Sequence, residues 1–258
     1  RNVVEPPVYG EGFAVAVLDS GIRSTHELLG GRVVRTRNFT SSPGGDALSH
    51  GTGVASVIHA LAPKSDIVDI KVIGDDGFGS DEAVILGIDE VLGITERHEL
   101  PIRVINLSLG KEDDGDYYDP LRVACRAAVE EGLFVVAAAG NTGPNPATVM
   151  SPACERYVTA VGAVNYDHTL PEWSFRVSSF SSRGPTREGF IKPDVVLPGE
   201  KMVMADSRSD TATCVKSGTS FATPIGAGLL LVYSEGALKQ ARRVMPGLEW
   251  NKVWTLSL

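Results

Sequence analysis

The segment Phe13-Ala14-Val15-Ala16-Val17-Leu18-Asp19-Ser20-Gly21 decides the fold. Phe13–Leu18 is apolar without alternation, the pattern of a strand buried on both faces, and it stops at a carboxylate. Ile67–Val72, Val104–Leu107 and Leu133–Ala138 repeat the pattern, and helical periodicity fills about 53–60, 81–96 and 120–131 between them. Strands alternating with helices predict an α/β fold: a doubly wound, mainly parallel sheet flanked by helices. In such sheets the ligand crevice lies beyond the carboxyl ends of the strands. Asp19 directly follows the first run and Asn141 follows the fourth after Ala139-Gly140, so both fall at that edge. His50 and Ser220 each precede a helical pattern, which puts them at helix N-termini on the same side.

Residues 142–218 are richer in Gly, Pro, Ser and Thr and are expected as loops over the scaffold, with strands at 157–164 and 194–197. A helix is expected at 220–233, followed by a tail, Gly236–Leu258, whose Trp250 and Trp254 pack on the core. With 258 residues, 43% of them hydrophobic, the chain can bury one sizeable core. The expectation is a single domain over 1–258 with its catalytic core at about 13–233.

Composition narrows the partners. Lys and Arg number 24 against 32 Asp and Glu, a net charge of −8, the wrong sign for neutralising phosphates, so no nucleic-acid partner is expected. No apolar run reaches the roughly 18 residues of a membrane span. The start Arg1-Asn2-Val3-Val4 has neither a Met nor a signal-peptide core, as in a processed product or an excised domain. Cys125, Cys154 and Cys214 are odd in number and contain no Cys-x-x-Cys pair, so they allow at most one disulfide and are expected as buried free thiols.

The chemistry sits in four short segments: Asp19-Ser20-Gly21-Ile22, His50-Gly51-Thr52, Ala138-Ala139-Gly140-Asn141 and Gly218-Thr219-Ser220-Phe221-Ala222-Thr223-Pro224. A serine hydroxyl is a poor nucleophile at neutral pH and needs a base within hydrogen-bond reach, which a third group must orient. Ser220, His50 and Asp19 supply those three groups. The Asn141 amide and the backbone N–H of Ser220 at a helix N-terminus can hold the charge that develops on an acyl oxygen.

These segments make the chain resemble the subtilisin-like serine proteases, the subtilases, whose triad runs in the order Asp, His, Ser. The likeness extends through Ile105-Asn106-Leu107-Ser108-Leu109-Gly110 and Phe180-Ser181-Ser182-Arg183-Gly184-Pro185 and covers about residues 13–233. It implies a serine endopeptidase acting on proteins or peptides, with Asp19, His50 and Ser220 catalytic and Asn141 in the oxyanion hole. A peptide ligase or macrocyclase on the same fold, or a non-catalytic binding pseudo-protease, is the alternative reading. The resemblance further implies an extended substrate added as a strand between Gly77-Phe78-Gly79 and Ser108-Leu109-Gly110. It places Met150 near the floor of the pocket for the residue before the scissile bond, where it would favour small or medium apolar side chains. Family likeness also implies secretion and an N-terminal inhibitory pro-segment, which this chain does not contain.

Departures from the family pattern carry information too. His50-Gly51-Thr52-Gly53-Val54-Ala55-Ser56 and Pro224-Ile225-Gly226-Ala227-Gly228 change helix packing without touching the triad. The link His59–Ser65 is shorter than the loop that wraps a tight calcium ion in subtilisins, so that site is expected to be missing; the chemistry needs no cofactor. A weaker cation site is conceivable at the backbone of Ala153, Glu155 and Val158 with Glu188. Acidic residues flank both peptide-binding segments: Asp75, Asp76, Asp81 and Glu82, then Glu112, Asp113, Asp114, Asp116 and Asp119. They read as a solvated face of an acidic protein, or as an attraction for a basic residue upstream of the cut.

Overall fold

The opening run forms β1 (Ala14–Asp19), buried along its whole length, in a computed structural model that describes residues 7–166 and 175–244. The chain continues through β2 (Val33–Asn38), α1 (Gly51–Leu61), β3 (Asp66–Lys71), α2 (Asp81–Glu96), β4 (Ile102–Leu107), α3 (Pro120–Glu130) and β5 (Phe134–Ala138). It then adds β6 (Thr159–Tyr166), β7 (Phe175–Val177) and β8 (Val195–Pro198), a hairpin of β9 (Met202–Ala205) and β10 (Thr213–Lys216), and the long helix α4 (Thr219–Val244).

The sheet order is β2-β3-β1-β4-β5-β6-β7, with β8 also paired to β6. All pairings are parallel except β6 with β7. From β1 the chain runs to the edge at β2, returns through β3 beside β1, and then crosses to the other side, where β4, β5 and β6 follow outward. Asp19 therefore ends the strand at which the winding reverses, where such sheets open a crevice.

Side chains of β1 alternate between two cores. Ala14, Ala16 and Leu18 meet Val84, Ile88 and Val91 of α2 and Leu121 and Cys125 of α3. Val15 and Val17 meet Val54 and Ile58 of α1 and Ala227 and Leu231 of α4. Helices thus cover both faces, which is why the strands lack a polar side. Local chemistry sets the helix starts: the Ser80 hydroxyl accepts from the Ala83 N–H at α2, and Asp119 accepts from Leu121 and Arg122 N–H at α3, with Pro120 in the first turn.

Three features depart from the expected elements. β2 alternates between half-buried and exposed residues and carries Arg35 and Arg37, the charged edge strand that a search for continuous apolar runs passes over. The β9–β10 hairpin lies in the segment expected as loop. Helix α4 continues past residue 233 and through Gly236 to Val244. Glu235 helps anchor that extension, because its carboxylate accepts from the backbone N–H groups of Tyr9, Gly10 and Glu11 at 2.6, 2.7 and 3.0 Å. Among the described residues α4 is the one helix whose length and mean hydropathy could cross a membrane, but it packs on β4, β5, β6 and α1 as a core helix. Trp250 and Trp254 lie outside the described residues.

All three thiols are unpaired, with Cys125 and Cys154 buried and Cys214 half-buried. Burial pushes the Cys154 thiol up to about 12, which keeps it protonated and unreactive.

Candidate active site

Asp19 is fully buried at the end of β1, and its Oδ1 lies 2.7 Å from His50 Nδ1 and accepts from the Ser20 N–H at 2.7 Å. His50 is the N-cap of α1, yet its ring does no capping. The orphan donors of that helix are met from elsewhere: Gly51 N–H donates to Ser20 Oγ and Thr52 N–H to Asp46 Oδ2. The imidazole is thereby left to Asp19. Glycine is required at 51, because a Cβ there would lie 2.3 Å from the Gly21 carbonyl oxygen and 3.1 Å from Asp19 Cβ. Burial lowers the His50 pKa and the Lys216 cation acts in the same direction. The charge and hydrogen bond of Asp19, with a smaller push from Asp46, outweigh both and hold it above the ordinary imidazole value.

The backbone just before His50 is pinned in an uncommon conformation. Ser49 has a φ of 53°, its hydroxyl donates to Asp206 Oδ1 at 2.8 Å, and it accepts from the Ser207 N–H at 3.1 Å. Lys216 Nζ donates to the carbonyls of Leu48 and Ser49 at 3.0 and 2.8 Å. Ser49, Asp206 and Lys216 were not legible as site residues, because the partners of Ser49 lie more than 150 positions away in sequence.

Ser220 sits in the first turn of α4, and Phe221 beside it packs on the His50 ring with centroids 5.1 Å apart. Asn141 follows β5 through Gly140, whose φ of +111° suits glycine. Its Oδ1 accepts from both the Thr219 N–H at 2.9 Å and the Thr219 hydroxyl at 3.0 Å. With the oxygen so engaged, Nδ2 is turned toward Gly218 at the mouth of the helix. A second support comes from β4: Asn106 Nδ2 donates to Ser108 Oγ, and the Ser108 hydroxyl donates to the Ser220 carbonyl at 2.8 Å. The four proposed catalytic residues therefore converge from the ends of β1 and β5 and the starts of α1 and α4.

A cleft of about 480 Å³ opens beside His50. Both segments expected to bind peptide line it, Gly77, Phe78 and Gly79 on one wall and Ser108, Leu109 and Gly110 on the other, with Val84 and Leu121 between them. Phe78 is 79% exposed at the rim. Met150 lies outside that cleft, with its side chain against Gly140 and Gly110, directly below the loop that carries Asn141.

Four of the nine acidic residues on the flanks are ion-paired within the fold. Asp75 pairs with Lys71, Asp81 and Asp119 clasp Lys111, and Asp113 faces Arg122. Asp76, Asp114 and Asp116 accept backbone N–H groups in their own turns.

At the tight-loop position α1 ends at Leu61 and β3 begins at Asp66, so only residues 62–65 link them. Around the carbonyls considered for a weaker cation, Lys192 Nζ donates to Val158 O at 2.5 Å and Arg156 O at 3.3 Å and pairs with Asp194 at 2.7 Å. Glu188 instead faces the buried Arg122 at 2.6 Å. The chain's own ammonium and guanidinium stand at that place.

Residues 10–252 match the Subtilase family, Peptidase_S8. The chain is 32% identical over 249 residues to serine protease AprX of Bacillus subtilis, a match covering 85% of this chain and 56% of AprX. It is 32% identical over 244 residues to the intracellular serine protease of Paenibacillus polymyxa, covering 88% and 68% of the two chains. Among solved structures, a cold adapted subtilisin-like serine proteinase superposes with a TM-score of 0.72 at 30% identity, covering 89% of this chain and 77% of that one. The chain spans about half the length of several of the curated relatives it matches.

Proposed function

Since the chain belongs to the subtilase family, we propose that it is a serine endopeptidase that cleaves peptide bonds through an acyl-enzyme on Ser220. The observation that carries this reading is the hydrogen bond between His50 Nδ1 and Asp19, which commits that nitrogen and leaves Nε2 as the basic one. In the proposed cycle Nε2 takes the Ser220 hydroxyl proton as Oγ attacks the substrate carbonyl. Asp19 holds the ring in this tautomer and stabilises the imidazolium. The oxyanion is met by Asn141 Nδ2 and the Ser220 N–H, both fixed in place before the reaction, so little reorganisation is needed as charge develops. His50 then gives its proton to the departing amine, and water, activated by the same base, releases the acyl group.

The cleft supports an extended substrate lying between Gly77–Gly79 and Ser108–Gly110. Met150, outside that cleft against Gly140 and Gly110, is the residue proposed to limit the depth available to the side chain before the scissile bond. One relative is named an intracellular protease, so export is not assigned by family membership. The direct test is incubation with a denatured protein and mass-spectrometric mapping of the cuts, comparing the parent with Ser220→Ala. Internal cleavage by the parent and loss of turnover in the variant are expected. Equal cleavage by both would overturn the proposal.

A further inference from the structure

Lys216 is the last residue of β10 and lines the cleft beside His50. An ammonium has three donors, and two of them here reach only neutral acceptors, the carbonyls of Leu48 and Ser49. Carbonyls orient the charge without cancelling it. Among the described residues no carboxylate lies within ion-pair distance of Lys216, whereas Lys71 and Lys192 each have one and Lys111 has two. The carboxylates around His50 have other donors: Asp46 accepts from Ser20 Oγ and from the Leu48 and Thr52 N–H groups, Asp206 from Ser49 and Arg208, and Asp19 holds His50. Four of the acidic residues on the cleft's flanks, Asp75, Asp81, Asp113 and Asp119, are already held by Lys71, Lys111 and Arg122. The result is a fixed cation in the wall of the cleft, with no ion-pair partner among the described residues, in a chain whose net charge is −8.

We propose that Lys216 selects substrates that carry a carboxylate next to the acyl residue, an aspartate or glutamate one position before or after it. This rests on the endopeptidase reading. The third Lys216 donor would meet that carboxylate where part of the surrounding water is displaced by the bound peptide, so the pair is less screened than one in free solution. The anchor is also rigid, since Leu48 and Ser49 already fix the lysine and little side-chain entropy remains to be lost.

Peptides identical except for Glu, Gln or Lys at each of the two flanking positions test this, through kcat/KM for the parent, Lys216→Gln and Lys216→Arg. The expected result is a preference of about five- to tenfold for Glu over Gln at one of the positions, larger against Lys, and shrinking as salt is raised. That Glu/Gln ratio should fall to near one in Lys216→Gln and persist in Lys216→Arg. If Lys216 only braces the Leu48–Ser49 backbone, Lys216→Gln slows Glu and Gln peptides alike and the parent shows no Glu preference, which overturns the proposal. Cleavage of the Gln peptides by the parent keeps the endopeptidase reading separate. Failure to cleave any peptide removes that reading and this one together.

Discussion

Thr219 holds Asn141 through two donors on one acceptor: its backbone N–H and its hydroxyl both reach Asn141 Oδ1, at 2.9 and 3.0 Å. An amide can present either end to a cleft, and this pair of bonds decides which. If Nδ2 stabilises the oxyanion, Asn141→Ala should lower kcat by about 10²–10³ with little change in KM. Thr219→Val keeps the N–H bond but removes the hydroxyl bond to Asn141 and the one the hydroxyl accepts from the Gly140 N–H at 3.2 Å, and should cost about five- to tenfold in kcat. Steady-state kinetics on one peptide substrate measure both. Asn141→Ala with the parent's kcat would remove Asn141 from the mechanism.

The environment of His50 sets the pH profile. A general base must be unprotonated, so activity rises with pH through its pKa. Asp19 raises that pKa, and the acidic limb of kcat/KM should therefore have its midpoint above 6.5. Lys216 opposes Asp19, so Lys216→Gln should move the limb to still higher pH. A midpoint at or below 6.5 in the parent, or a shift to lower pH in the variant, contradicts the charge balance described for His50.

Asp69 predicts a stability effect away from the chemistry. It is 1% exposed on β3 among apolar neighbours, and its Oδ1 has no hydrogen-bond partner among the described residues. Burial raises its pKa to about 7 against bonds from Ile22 and Thr36 that lower it, with the charges of Asp46 and Asp19 adding to the rise. Between an unfolded value near 3.8 and a folded value of about 7, the folded chain holds a proton that the unfolded chain has lost. Stability from this group is therefore present in full below about pH 4, declines as pH rises to about 7, and is level above. Asp69→Asn should remove the decline and stabilise the protein at pH 8 by on the order of 2–4 kcal/mol. Urea unfolding at pH 5 and pH 8 checks it, and a variant no more stable than the parent at pH 8 contradicts it.

Met150 packs on Gly140 and Gly110 and is proposed to close the specificity pocket. Met150→Gly should deepen that pocket and raise the kcat/KM ratio for Phe over Ala before the scissile bond by about tenfold or more. Peptide-library profiling measures the ratio. An unchanged ratio would place Met150 outside the pocket.

The sheet and the site were legible to different depths. β1, β3, β4 and β5 follow from unbroken apolar runs, since burial on both faces leaves no room for polar alternation. The edge strand β2 and the β9–β10 hairpin could not be found that way, because each keeps one side in water. Asp19, His50, Asn141 and Ser220 stand out through motif order and strand-end placement. What holds them does not: Ser49 meets Asp206, Asn106 acts through Ser108 on Ser220, and Lys216 reaches back to Leu48, all across long sequence separations. Pairing also changes how charges read, for Asp75, Asp81, Asp113 and Asp119 of the acidic string close onto Lys71, Lys111 and Arg122 in the fold. The cradle considered for a cation contains Lys192, whose reach to Val158 depends on a fold contact that no local pattern announces.

Whether Ser220 is a nucleophile activated by His50 is read by reaction with a fluorophosphonate probe followed by peptide mapping in a mass spectrometer. A single adduct is expected on Ser220, absent in Ser220→Ala and forming far more slowly in His50→Ala. Labelling at another residue, or an adduct that forms as fast without His50, would contradict that assignment.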